Sequence, residues 1–265
     1  MRAQITVLGV VQGVGFRPFV AECARTLSIR GSVCNSGGVV RIEAYGTKEA
    51  MEELVHRLRS CAPPAARVDR VIVEKEKEAG TEPEDFLIVE SEAENGADLP
   101  LIPPDLPICA DCLAELRNPE NRRFRYPFIS CTACGPRYSI LEAIPYDREH
   151  ISMREYAMCL ECGREYRQSG GRRQHAQTIS CRDCGPQLIL SGREDFSSKG
   201  GGMAPGLPSD AALSEAVRIL KEGGILAVKG IGGYQFACRL DREETVRRLR
   251  LLKGREKKPF AVMFP

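Results

Sequence analysis

RRFRYPFISCTACGPRYSIL, residues 122–141, returns fifty positions later as RRQHAQTISCRDCGPQLIL, residues 172–190. With the pairs upstream of them, Cys109, Cys112, Cys131 and Cys134 are matched by Cys159, Cys162, Cys181 and Cys184, and each set reads C-x2-C-x18-C-x2-C. Duplication is the simplest account. Two cysteines separated by two residues can hold both sulfurs about 2.3 Å from one tetrahedral ion, and a second such knuckle closes a structural zinc site. Two zinc ions per chain are therefore expected. The fifty-residue duplication favours each module closing its own site, 109/112 with 131/134 and 159/162 with 181/184, while spacing does not exclude a crossed pairing. Each second knuckle continues as CGP, where Gly135 and Gly185 are expected to supply positive φ and free amides before Pro136 and Pro186 end the turn.

Other uses of cysteine fit less well. Four tandem CxxC pairs are not a thioredoxin motif, which needs one pair at a helix start in a βαβ setting. The chain is too long for a small disulfide scaffold and shows no signal peptide. A nucleic-acid finger is disfavoured by charge. Residues 109–184 carry twelve Arg and no Lys against ten Asp or Glu, and two four-thiolate zinc sites bring that balance of +2 to about −2. His150 and His175 are expected at the surface or behind the ligands, and Cys23, Cys34, Cys61 and Cys238 as buried small hydrophobes.

The 265 residues suffice for two or three domains, and 43% apolar content fits an ordinary globular protein. The net charge of +2 gives no electrostatic reason to expect nucleic acid or an anionic membrane as partner. No apolar run approaches the roughly 18 to 20 residues of a membrane span, so a cytoplasmic protein is expected.

The fold expectation is α+β. Residues 1–91 read as βαββαβ, with strands around Ile5/Val7, Val40/Ile42/Ala44 and Val71/Val73. One helix starts near Pro18 with Phe19, Cys23 and Leu27 on a face; a second, capped near Thr47, carries Met51, Leu54, Val55 and Leu58. Proline clusters at 61–66 and 98–107 break the chain, the latter marking a boundary. The duplicated zinc domain then takes 105–190, a Gly/Ser/Pro-rich flexible linker 191–208, and a third unit 209–265. In that unit ILAVKGIGGYQFACRL is expected to form two apolar strands, a helix to run from about Asp241, and KPFAVMFP to begin a further strand.

The first domain contains VVQGVGFRPFV, residues 10–20, between a strand and a helix. A helix N-terminus presents unpaired N–H groups and suits an oxyanion. Gln12, Gly13, Val14, Gly15, Phe16 and Arg17 form the candidate phosphate-binding loop: the glycines let amides converge, and Arg17 adds a fork able to grip two oxygens. By itself the loop reads equally well as a strand-to-helix turn with a solvated Arg. Asn35, in GSVCNSGG at the end of the next strand, lies near the same sheet edge, where a neutral amide can hold a water.

VVQGVGFR and the Asn eighteen residues after the Arg resemble the acylphosphatase family across about 90 residues. The resemblance implies a ferredoxin-like fold, phosphate held by the loop amides and Arg17, and an attacking water oriented by Asn35 without a dedicated base. SGG after Asn35 departs from the longer, more acidic turn of stand-alone members.

The succession of this domain, the duplicated four-cysteine module and LKEGGILAVKGIGGYQFACRL…LLKGREKKPFAVM resembles the HypF carbamoyltransferases of nickel–iron hydrogenase maturation. The last segment is similar to the start of a YrdC-like nucleotide-binding domain. Lys229, Lys253, Arg255 and Lys258 are the matching candidates for nucleotide phosphates, although a run such as KGREKK alone is more often a solvated surface. The resemblance implies carbamoyl phosphate as substrate and ATP as co-substrate. A carbamoyl adenylate would form and its carbamoyl group pass to the C-terminal cysteine of a HypE-type partner. Ending within the YrdC-like segment, the chain is expected to be a truncated form that keeps zinc binding and acyl phosphate hydrolysis. The family's HAQPxxC motif stands here as HAQTISC, residues 175–181, with Thr178 in place of the proline. The competing expectations are a zinc-dependent scaffold with a vestigial loop and a nucleic-acid-binding protein.

Overall fold

Alternation along β1 (Arg2–Val10) sends Ala3, Ile5 and Val7 into the interior, and along β3 (Val39–Tyr45) sends Val40, Ile42 and Ala44 there. The two strands are antiparallel neighbours with Ile5 opposite Ile42. A computed structural model describes residues 1–76, 83–91, 101–191 and 207–264, and the chain separates into two units, Met1–Pro186 and Gln187–Pro265.

The first unit opens as expected: β1, α1 (Phe16–Thr26), β2 (Arg30–Ser36), β3, α2 (Lys48–Ser60) and β4 (Arg67–Glu76). A strand absent from the expected order, β5 (Phe86–Ile88), pairs in parallel with β2 and completes a sheet ordered β4-β1-β3-β2-β5. Both helices share one core on one face of this sheet. The Thr47 hydroxyl caps α2, accepting from the Ala50 amide at 3.2 Å.

α1 begins two residues before Pro18, which sits in the first turn where a missing N–H costs nothing. Its buried face is Phe16, Val20, Ala21, Cys23 and Ala24, while Phe19 and Leu27 pack only at the margin. The earlier start rotates the expected face because Phe16 and Arg17 are also drawn inside.

The cysteine modules complete the first unit. Each begins with a short helix, α3 (Ala110–Arg117) or α4 (Leu160–Arg167), whose N-cap is the first cysteine of the set. The modules are joined reciprocally. Arg123 Nε donates to Ser180 O at 2.9 Å and Arg173 Nε to Ser130 O at 3.0 Å, the same contact displaced by fifty residues in each direction. Tyr126 Oη reaches Ser180 Oγ at 3.2 Å, and Ser130 Oγ donates to Thr178 O at 3.1 Å.

Several expectations are corrected. Gly135 has a positive φ of 97°, but Gly185 does not need one: a Cβ there would lie 2.1 Å from Tyr126 Oη and 2.5 Å from Ser180 Cβ, so that glycine is required for space. Cys23 and Cys34 are buried, but Cys61 is exposed at the end of α2 and Cys238 half-buried after a hairpin. His175 is not a surface group; it is half-buried beside the Tyr166 ring with φ 51°.

In the second unit β6 (Ile189–Leu190) pairs antiparallel with β7 (Leu207–Pro208), so the expected linker is bracketed by a short ladder; residues 192–206 of it, like 98–100 of the proline-rich boundary, lie outside the described residues. α5 (Ser209–Lys221) precedes the hairpin β8 (Leu226–Gly230) and β9 (Gly233–Ala237), and α6 (Glu243–Lys253) follows. Val228, Tyr234 and Phe236 of the hairpin are exposed. Residues 258–264 form no strand, contrary to expectation, because a strand needs a neighbour to share its hydrogen bonds and none pairs with them among the described residues.

Candidate functional site

At the end of β1 the chain turns through Gly13 (φ 70°) and Gly15 (φ 76°) into α1, Gly15 being the left-handed N-cap. No side chain caps this helix, and its first turn carries no acidic residue. The amides at its start face an unclaimed, partly positive end suited to an anion. Val14 and Phe16 bury their side chains and pin the loop from beneath. Gln12 is spent on bracing: Nε2 donates to Gly37 O at 2.9 Å and Val39 O at 3.0 Å, and Oε1 accepts from the Tyr146 amide at 2.9 Å. Its contribution to anion binding is thus confined to its backbone.

Arg17 and Asn35 line one cleft with the two loop glycines. Asn35 is 1% exposed; its Nδ2 faces Tyr146 O at 3.5 Å, and its Oδ1 has no hydrogen-bond partner. A buried acceptor without a donor costs about 1–3 kcal/mol, which a bound water donating into it would recover. Arg17 is braced through Nη2 to Asp147 Oδ1 at 2.6 Å and through Nη1 to Ser91 Oγ at 3.3 Å. Ser91 Oγ also donates to Asp147 Oδ2, and Gln177 Nε2 to Asp147 Oδ1 at 3.2 Å.

The other side of this cleft comes from the cysteine modules: Thr132, Arg137, Tyr146, His175 and Gln177 all face it. The separate reading of loop and modules missed this. The HAQ stretch at 175–177 was the available signal, since two of its three residues are polar groups turned inward. Burial, and then the Arg17 charge, push the His175 imidazole down to about 4, so at neutral pH it is uncharged.

The eight predicted ligands assemble within their own modules. In each set the four sulfurs lie within 4.8 Å of one another, which closes the pairing question in favour of 109/112 with 131/134 and 159/162 with 181/184. Sγ separations of 3.7 Å (109–131), 3.8 Å (131–134), 3.8 Å (159–181) and 3.7 Å (181–184) match the edge of about 3.8 Å of a tetrahedron with 2.3 Å bonds. Backbone amides support the sulfurs: Cys112 N to Cys109 at 3.4 Å, Ala133 N to Cys131 at 3.3 Å and Asp183 N to Cys181 at 3.4 Å. In the second nest burial pushes the Cys162 and Cys181 thiols up, while at Cys159 it is outweighed by the Cys162 amide and Arg122, which hold that thiol down to about 6. The donor set fits zinc.

The repeated RR pairs neutralise these nests across the module boundary. Arg122 donates to Cys159 at 3.3 Å, Cys181 at 3.1 Å and Cys162 at 3.5 Å, and Arg123 to Cys162 at 3.4 Å. Reciprocally, Arg172 points at Cys109 and Cys112 at 3.8 and 3.6 Å, and Arg173 at Cys112 at 3.7 Å. Glu165 and Glu115 orient the two pairs. Burial alone would raise these carboxyls, but the arginines outweigh it and hold both below the usual range. Two cations of one module thus face the four-sulfur nest of the other.

In the second unit Lys229 and Lys253 lie over the Tyr234 and Phe236 rings, 5.3 and 5.0 Å from their centroids, on one face of the hairpin. Arg255 and Lys258 are exposed, and their carbonyls accept from Arg250 at 3.2 and 3.0 Å. The first two are brought together; the others follow α6.

Residues 3–88 match the acylphosphatase family, 108–141 and 158–191 the HypF finger, and 218–265 the family described as telomere recombination. Carbamoyltransferase HypF2 of Cupriavidus necator is 51% identical over 265 residues, 99% of this chain and 31% of that protein. The probable carbamoyltransferase HypF of Methanocaldococcus jannaschii is 48% identical, covering 99% of this chain and 33% of that protein. The acylphosphatase of Deinococcus radiodurans is 43% identical over 81 residues, 92% of its own length. A crystal structure of full-length HypF in a phosphate- and nucleotide-bound form superimposes with a TM-score of 0.84 at 39% identity, over 98% of this chain and 32% of that one. The chain spans about a third of the length of the carbamoyltransferases it matches. With an acylphosphatase-type sheet, two HypF fingers and the opening of a YrdC-type domain in that order, it belongs to the HypF carbamoyltransferase family.

Proposed function

We propose that the cleft between the phosphate loop and the cysteine modules hydrolyses an acyl phosphate, and that carbamoyl phosphate is the preferred one. The observation that carries this reading is the pairing of an anion-ready loop and Arg17 with the orphan buried Oδ1 of Asn35 in one cleft. The loop amides and Arg17 hold the phosphoryl oxygens and take up charge as it develops on them. Asn35 Oδ1 accepts a hydrogen bond from a water and aims its oxygen at phosphorus. Water adds to phosphorus as the bond from phosphorus to the acyl oxygen breaks; carbamate leaves with the bonding pair, and the water's protons stay with inorganic phosphate. Carbamate is a good leaving group, so a strong base at the water is unnecessary. Asp147 braces Arg17 through its Nη2.

Zinc, when bound by Cys109, Cys112, Cys131 and Cys134 and by Cys159, Cys162, Cys181 and Cys184, supplies folding free energy rather than reaction chemistry, because four thiolates leave no open position. In the longer family members we infer that the carbamate goes on to a carbamoyl adenylate formed with ATP. Lys229, Lys253, Arg255 and Lys258 contribute to that nucleotide site, and the carbamoyl group then passes to the C-terminal cysteine of a HypE-type partner. The test is hydrolysis of carbamoyl phosphate in 18O-water. Label in the released phosphate supports attack at phosphorus; no release above the spontaneous rate, or label in the carbamate, contradicts it.

A further inference from the structure

Arg137 follows the second knuckle of the first module, and the duplicate position fifty residues on is Gln187. At this position the two repeats therefore differ by a cation. The Arg137 side chain is 2% exposed and every N–H of its guanidinium meets a main-chain carbonyl. Nη1 donates to Cys134 O at 3.1 Å and Pro136 O at 2.8 Å; Nη2 donates to Cys131 O at 3.0 Å and Thr132 O at 2.9 Å. Nε donates to Gly13 O. A guanidinium has five N–H donors. Four are used on the knuckle that carries Cys131 and Cys134, and the fifth on the first glycine of the phosphate loop. The backbone of Arg137 is itself held by Asp105, whose Oδ1 accepts its amide at 2.7 Å.

The loop is closely fitted to this support. A Cβ on Gly13 would come within 3.0 Å of the Tyr146 ring and 3.2 Å of Arg137 Cδ, and one on Gly15 within 3.1 Å of Thr132 Cβ. The C=O and the following N–H of a trans peptide point in opposite directions. A Gly13 carbonyl tied to Arg137 consequently fixes which way the Val14 N–H faces.

We propose that Arg137 is a positioning residue that couples closure of the first metal nest to the shape of the phosphate loop. With the Cys131–Cys134 knuckle closed around its ion, the guanidinium is locked by four carbonyls and holds the Gly13–Val14 peptide in its anion-binding orientation. When the knuckle opens, that hold is lost. The second module carries Gln187 at the matching position and meets the first through other contacts, among them its arginine pair and Thr178. The proposal rests on the acyl phosphate reading for its consequence in rate, but not for its consequence in loop geometry.

The test uses the full chain loaded with zinc, and Arg137→Gln, which installs the residue of the duplicate repeat, beside Arg137→Lys. Zinc content, inorganic phosphate binding, kcat and KM for benzoyl phosphate, and the amide signals of residues 12–17 are measured together. Arg137→Gln is expected to keep both zinc ions, to shift the Gly13, Val14 and Gly15 amides, and to lose about tenfold or more in phosphate affinity and kcat/KM. Arg137→Lys is expected to recover part of each. Retained zinc with phosphate affinity and kcat/KM within about twofold of the unaltered protein overturns the proposal. Should a variant shed zinc, hydrogen exchange is followed in the unaltered protein during stepwise chelation. Residues 12–17 are expected to lose protection together with 131–137, and loop protection that outlasts the knuckle overturns the proposal. An unaltered protein that binds phosphate through Arg137 but hydrolyses no acyl phosphate refutes the proposed function while leaving the positioning role intact.

Discussion

Arg123→Met should weaken the zinc site of the module to which Arg123 does not belong. Arg123 is 2% exposed, donates to Cys162 Sγ at 3.4 Å and Ser180 O at 2.9 Å, and pairs with Glu165 at 2.9 Å. Methionine fills much of the same volume but leaves Ser180 O without that donor and Glu165 with one partner fewer. Breaking a buried ion pair costs about 3–5 kcal/mol. The low end applies here, because Arg122 at 3.0 Å and Arg173 at 3.6 Å still face Glu165. About 3 kcal/mol in a unit of this size lowers Tm by about 6–12 °C. The assay is a thermal melt together with timed alkylation under a zinc chelator, with modified cysteines mapped by mass spectrometry. Cys159, Cys162, Cys181 and Cys184 should become reactive before Cys109, Cys112, Cys131 and Cys134, and Arg173→Met should reverse that order. Preferential loss of the variant's own module, or no change in either order or Tm, refutes the cross-module reading.

Three further substitutions probe the cleft and its support. Asn35→Ala removes the orphan acceptor and should lower kcat for acyl phosphate hydrolysis by about 100-fold with inorganic phosphate binding little changed, read by steady-state kinetics beside a binding titration; a purely higher KM would argue against a water-orienting role. His175 is held near 4 against an ordinary 6.5, so its stabilising contribution is complete above pH 6.5 and is lost as pH falls toward 4, by up to about 3 kcal/mol. His175→Asn, which tolerates the positive φ, should flatten that part of the Tm–pH curve, and an unaltered slope would count against it. Gly185→Ala forces a Cβ into Tyr126 and Ser180 and should cost about 1–3 kcal/mol in denaturant unfolding; a neutral outcome means the modules are not packed as described.

What the sequence disclosed most fully was chemistry fixed by local spacing. The eight ligands and the strand–loop–helix at Gly13 to Arg17 are set by residues close together in the chain, where two-residue and fifty-residue intervals are visible. The in-module pairing was favoured by the duplication alone, because spacing fixes each knuckle but not which knuckles meet. β5 was missed since a three-residue parallel strand has too few residues to show a period. The RR pairs were counted only as charge; that each faces the other module's thiolates depends on how the repeats pack, although their presence in both copies was the sign. Asp147 reaches Arg17 across 130 residues, and Arg137 reaches Gly13 across 124, so neither partner is deducible from local pattern. The contrast of Arg137 with Gln187 was nonetheless legible as one of the places where the copies differ in charge. KPFAVMFP shows the converse error, an apolar run read as a strand although pairing, not composition, makes one.

The most direct test compares phosphate release from carbamoyl phosphate by the unaltered chain and by Arg17→Ala, with zinc counted in both. The expected result is about two zinc ions per chain in each protein, hydrolysis well above the spontaneous rate in the first, and loss of at least about 100-fold in the second. Equal hydrolysis by the two zinc-loaded proteins, or none by the unaltered one, would contradict the assignment of the cleft.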